Sequence, residues 1–172
     1  MDPEAAGSLL IRIALALLFL QGVWACCRDA EAWRGATADA ALVFKRSPRL
    51  ATLLGMIVAA IGALSVLFGI FPRIGALAMA IFLVPAALIH FAKQRQAATL
   101  AARIAPSLAD DAAGREALGT LTASTALGNY TAGLKNLTLI APALYLVLAG
   151  ARDPMLIGLG PGWQLYGLLI HP

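Results

Sequence analysis

LATLLGMIVAAIGALSVLFGIFPRIGALAMAIFLVPAALIHFA, running from Leu50 to Ala92, contains a single charged side chain, Arg73. Arg73 divides the stretch into two charge-free runs, Leu50 to Pro72 (23 residues) and Ile74 to Ala92 (19 residues). A helix rises ~1.5 Å per residue and a hydrocarbon layer is ~30 Å thick, so each run is long enough to cross a membrane. The Pro72-Arg73 turn is so short that the two helices must be antiparallel neighbours. Further out, Ser8 to Cys27 is apolar apart from Arg12, and Asn136 to Ala151 is apolar throughout. The chain therefore reads as all-α, an integral membrane four-helix bundle with spans at about 8–27, 50–71, 74–92 and 135–151.

Composition agrees. Of 172 residues, 60% are hydrophobic and 13% charged, and the mean hydropathy of +0.82 does not describe a water-facing surface. In lipid every backbone polar group has to be satisfied within its own segment, which leaves helices or a closed barrel. Barrel strands alternate polar and apolar residues, and these runs do not. The net charge of +4 does not point to nucleic acid, because the basic residues are scattered among loops instead of clustering with aromatics. Asp2 and Glu4 precede the first run where a signal peptide would place Lys or Arg, so that run is read as a span.

The basic residues carry the topology signal. Arg28, Arg34, Lys45, Arg46, Arg49, Lys93, Arg95, Arg103, Arg115 and Lys135 lie in or beside loops 1 and 3, against Arg73 and Arg152 on the other side. The positive-inside rule then places loops 1 and 3 in the cytoplasm of a bacterial inner membrane, with both termini outside. Both loops are expected to hold short interfacial helices. In loop 1 these surround Trp33 and Ala38 to Phe44. In loop 3, Ala97, Leu100, Ile104 and Leu108 recur at helical spacing, which suggests a helix stopped near Pro106, and Asp110 to Leu121 is expected to form a second short helix. Met155 to Ile170 is apolar but interrupted by Gly158, Gly160, Pro161, Gly162 and Gly167, so 155–170 reads as interfacial or re-entrant.

Within the spans, Gly55, Gly62 and Gly69 recur every seven residues and mark a seam where a neighbouring helix can approach closely. Pro85 and Pro142 are expected to kink their helices. Arg12 lies about one turn into the first helix, where it can snorkel to the surface, pair with Asp153 or hold an anionic ligand. At the opposite depth, Gln21, Trp24, His90 and Asn136 share one membrane boundary, with Lys135 beside them. An amide, an indole and an imidazole there suit either interface anchoring or hydrogen bonds to the oxygens of a quinone or similar amphiphile. Paired carboxylates and a Ser/His/Asp grouping are lacking in the spans, and two histidines with the adjacent Cys26 and Cys27 do not make a metal site. Gly158-x-Gly160-Pro161-Gly162 lacks the spacing of a dinucleotide fingerprint.

Three segments, taken in order, resemble the DoxX family of small bacterial membrane proteins. They are Leu9-Leu10-Ile11-Arg12-Ile13-Ala14-Leu15, Gly69-Ile70-Phe71-Pro72-Arg73-Ile74-Gly75 and Leu134-Lys135-Asn136-Leu137-Thr138. Gly160-Pro161-Gly162 is similar to the family's glycine-rich ending of the last helix. The resemblance implies a four-helix integral membrane protein attached to oxidoreductase chemistry, since related DoxD proteins belong to a thiosulfate:quinone oxidoreductase. Where many members place a His and, four residues later, a Lys, this chain has Gln21 and Ala25, and Val58 stands where many have a Glu. Those departures remove the proton-handling groups that the resemblance would otherwise supply. The expected function is a subunit of a redox-linked membrane complex, with a quinone held near Gln21, Trp24, His90 and Asn136. The alternative is a non-catalytic accessory subunit packing against a larger membrane complex. Expected partners are membrane lipid and other membrane-protein subunits, without nucleic acid.

Overall fold

The computed structural model describes the chain over residues 3–149, and its side chains over 6–148. Five α-helices follow one another: α1 (Pro3–Arg28), α2 (Ala30–Ala41), α3 (Pro48–Phe68), α4 (Pro72–Ile104) and α5 (Ala112–Ala149). There is no strand among the described residues. α1, α3, α4 and α5 are each long and apolar enough to cross a membrane, which makes the chain a multi-pass membrane protein. The 155–170 segment and Asp153 lie outside the described residues.

The helix ends follow local chemistry. Asp29 caps α2, its carboxylate accepting from the backbone N–H of Glu31 at 2.9 Å and of Ala32 at 3.3 Å. Pro48 opens α3 at a position where a missing N–H leaves no bond unmade. α3 stops at Gly69, whose φ of 74° is a left-handed conformation that a residue lacking Cβ adopts without steric conflict. Gly69, which its spacing suggested as part of a seam, is therefore a helix cap. Two residues on, Phe71 is also left-handed at φ 52°, a strained conformation for a side chain of its size. Ser65 closes this turn, its hydroxyl donating to the carbonyls of Ile70 and of Phe71, the latter at 3.0 Å.

Close approach of α3 and α4 is built on two glycines. A Cβ at Gly62 would lie 2.9 Å from Met79 Cγ and 3.0 Å from the Gly75 carbonyl oxygen, and one at Gly75 would lie 2.9 Å from the Gly62 carbonyl oxygen. Neither backbone can yield, so this crossing requires both glycines. Around it sits the core: Leu15, Ala16 and Phe19 of α1, Ala59, Ala63 and Val66 of α3, Ala76, Met79 and Leu83 of α4, and Leu146 of α5. Phe19 and Phe82 meet at 5.7 Å with their rings tilted by 58°, joining α1 to α4 across the bundle.

The helices read in loop 3 are continuous with the spans beside them. α4 runs 33 residues through Pro85, a 3-10 turn follows over Ala105–Leu108, and α5 runs 38 residues through Pro142. Chain on the far side of Lys93 is polar enough to stay helical in water while α4 and α5 cover each other, which replaces the expected break. Residues 93–104 extend α4 by about 18 Å past its charge-free run, with α5 packed alongside. α2 braces the base of this hairpin, where Lys93 Nζ donates to Asp39 Oδ2 at 2.8 Å.

Candidate functional site

At the end of the bundle away from α2, Arg12 is fully buried. The last carbonyls of any helix lack intrahelical donors and need partners from elsewhere. The Ser65 carbonyl accepts from the N–H of Gly69 and of Ile70. The next two are taken by Arg12: its Nε donates to the Val66 carbonyl at 2.8 Å and an Nη to the Leu67 carbonyl at 3.2 Å. A cation at a helix C-terminus also opposes the negative end of the helix dipole. Burial replaces snorkelling at this position, because α1 and α3 run antiparallel and bring residue 12 level with the end of α3. Arg12 is thus a side-chain cap that clamps two spans.

At the opposite end the four residues singled out from sequence are distributed over three helices. Gln21 and Trp24 are exposed on α1, Trp24 to 66%, in the position of side chains facing lipid. His90 on α4 and Asn136 on α5 are half-buried. His90 meets Asn129 instead, with Nδ1 and Asn129 Oδ1 3.2 Å apart. Asn136 is two helical turns further along α5 from Asn129, ~10 Å by helical rise.

The hydrogen bonds of Asn129 assign the donor in its contact with His90. Asn129 Nδ2 donates to the Thr125 carbonyl at 2.9 Å, one turn back on α5. Assigned on that bond, the amide turns its oxygen toward His90, so Nδ1 of the ring must carry the proton and donate. Nε2 is then the ring atom left for a ligand: an acceptor when the imidazole is neutral, a donor when it is protonated. Immediately beside it, Phe91 and Tyr130 stack at 6.2 Å with an interplanar angle of 50°, and Phe91 also presses on Gly133, where a Cβ would come within 2.6 Å of the ring. Dipeptide His90-Phe91 thus faces dipeptide Asn129-Tyr130 across the α4–α5 contact. Sequence reading missed Asn129 because it placed this part of the chain in a loop. The readable signal was the pairing of one polar-aromatic dipeptide with another at the same depth.

A separate apolar groove of about 300 Å³ opens between α1 and α5, lined by Ile11, Ala14, Leu15, Leu18, Leu139 and Pro142. Its walls present hydrocarbon alone, so it can accept only a hydrocarbon chain. Cys26 is half-buried and Cys27 exposed, and both are free thiols. Among the described residues, no three His, Cys, Asp or Glu side chains gather closely enough to hold a metal ion.

The sequence model of the DoxX family matches residues 7–92, half of the chain. This match covers α1 to the middle of α4, including Arg12, the Gly69-to-Arg73 turn and His90. No curated protein and no solved structure matches the chain.

Proposed function

The chain belongs to the DoxX family, and on that premise we propose that it is the membrane subunit of a redox-linked complex, with the His90 end of the α4–α5 contact engaging a quinone head. The observation that carries this reading is the half-buried His90 ring, whose Nδ1 is committed to Asn129 while Nε2 remains for a ligand. Nε2 can accept a hydrogen bond from a hydroxyl or, once protonated, donate one to a carbonyl oxygen. Trp24 and Gln21 are exposed on α1 and Asn136 lies two turns along α5 from Asn129, so the reading rests on His90 and Asn129. The skew of basic residues toward loops 1 and 3 supports a bacterial inner-membrane location with the hairpin in the cytoplasm.

Protein extracted in mild detergent from native membranes tests the reading. Quinone is extracted and quantified for the wild type, His90→Gln and Asn129→Leu. The reading expects roughly stoichiometric quinone in the wild type and its loss in both variants at unchanged folding. Equal quinone in all three would remove His90 from the site.

One observation favours an accessory role. Leu100, Leu121 and Leu127 are exposed on the hairpin, where the helix length carries α4 and α5 past the hydrocarbon layer. Apolar side chains in that position suit a protein partner. A stoichiometric larger partner that retains all the cofactor after separation from this chain would favour that reading over the first.

A further inference from the structure

The turn leading into α3 reads Phe44-Lys45-Arg46-Ser47-Pro48-Arg49. Its three cations are exposed, and among the described residues neither a salt bridge nor a side-chain hydrogen bond engages any of them. Lys93, by contrast, is committed to Asp39, the acidic side chain of α2 that packs against α4. Of the other acids of α2, Asp29 caps the helix and Glu31 lies in its first turn, at the end of α2 away from Lys45. Lys45, Arg46 and Arg49 therefore form a local excess of three positive charges at the point where a spanning helix begins.

What lies next to the charges decides their ligand. Directly below Arg49, α3 exposes Leu50, Leu53, Leu54, Ile57, Ile61 and Leu64. These positions recur at three and four residues and form one continuous apolar stripe down the helix. Phe44 is exposed on the other side of the cations, at the depth where an aromatic ring settles among headgroups. A free phosphate would use only the cations. A phospholipid uses both parts, its phosphodiester against Lys45, Arg46 and Arg49 and its acyl chains along the stripe.

We infer that the Lys45-Arg46-Arg49 turn and the α3 stripe below it form a binding site for an anionic phospholipid, preferred over a zwitterionic one by charge. Attraction of several basic residues to an anionic headgroup makes the expected preference roughly ten-fold or more at low salt, falling as salt screens it. The inference is independent of the quinone site, because it lies on a different helix and involves none of the same residues.

Native mass spectrometry of the full chain in detergent, titrated with phosphatidylglycerol or phosphatidylcholine, reads the binding directly. The wild type should hold one phosphatidylglycerol at concentrations where phosphatidylcholine does not bind. The triple variant Lys45→Gln/Arg46→Gln/Arg49→Gln should lose that preference, whereas Arg95→Gln/Arg103→Gln, which removes charge from the hairpin, should keep it. Unfolding temperatures without added lipid verify that the variants are folded, as expected for exposed side chains. Equal binding of the two lipids by the wild type, retention of the preference by the triple variant, or its loss in the hairpin variant would each overturn the inference. Displacement of phosphatidylglycerol by an equal concentration of inorganic phosphate would overturn the part assigned to the apolar stripe.

Discussion

Replacing Arg12 with methionine is the most demanding perturbation of the bundle. Methionine replaces the aliphatic stem of arginine but carries neither the guanidinium head nor its charge, so it keeps the packing of the stem while deleting both hydrogen bonds to α3. Hydrogen bonds involving a charged group contribute ~1.5–3 kcal/mol each, and a carbonyl left buried without a donor costs ~1–3 kcal/mol. Val66 is fully buried and lipid offers no donor, so its carbonyl is orphaned outright. Against this, removing a buried guanidinium relieves several kcal/mol of desolvation, which offsets part of the loss. The net expectation is a destabilisation of about 3 kcal/mol, with Arg12→Lys intermediate because an ammonium keeps the charge but not the guanidinium's fork. Reversible unfolding in mixed detergent micelles, followed by tryptophan fluorescence, measures the difference, with Leu17→Met on the exposed face of α1 as a control. If Arg12→Met unfolds within ~0.5 kcal/mol of the wild type, the interhelical cap does not hold α1 to α3.

Other perturbations separate further parts of the account. Gly75→Leu should unfold or misassemble the bundle, because its side chain meets the Gly62 carbonyl and Ser65; Gly62→Ala should lower stability by ~1–3 kcal/mol in the same unfolding assay. Asp39→Asn should change stability by less than ~1 kcal/mol, since the bridge to Lys93 is about one-third exposed on each side and solvent screens it. Its effect should shrink further in high salt. Phosphatase fusions placed after residue 45 and after residue 108 should both be inactive if loops 1 and 3 face the cytoplasm, and active fusions would invert the proposed orientation.

The spans were legible because hydrocarbon permits so few residue types that charge-free length alone marks them. Loop 3 was less so. Arg95, Arg103 and Arg115 end the membrane signal, but they do not end a helix, and the chain keeps helical spacing from Lys93 to Ile104 and again from Ala112 onward. Charge reports where the lipid stops, while hydrogen bonding and capping decide where the helix stops. Two polar residues show the same limit. Arg12 stood out as an ion inside a span, yet two of its partners are backbone carbonyls 54 and 55 residues away that any sequence would supply. His90 stood out as one of two histidines, but its bond to Asn129 depends on the register of α4 against α5. Gly69 illustrates the reverse case: its seven-residue spacing from Gly62 suggested packing, and the turn chemistry of Gly-Ile-Phe-Pro made it a cap.

We propose for this DoxX family bundle the role of a subunit in a redox-linked complex that engages quinone at His90. A pull-down of the tagged chain from native membranes, with the eluate's absorption spectrum and extracted quinone measured together, tests it most directly. The expected eluate holds a stoichiometric membrane partner, redox absorbance and quinone that disappears with His90→Gln while the partner stays bound. A chain recovered alone, with neither quinone nor redox absorbance, would contradict it.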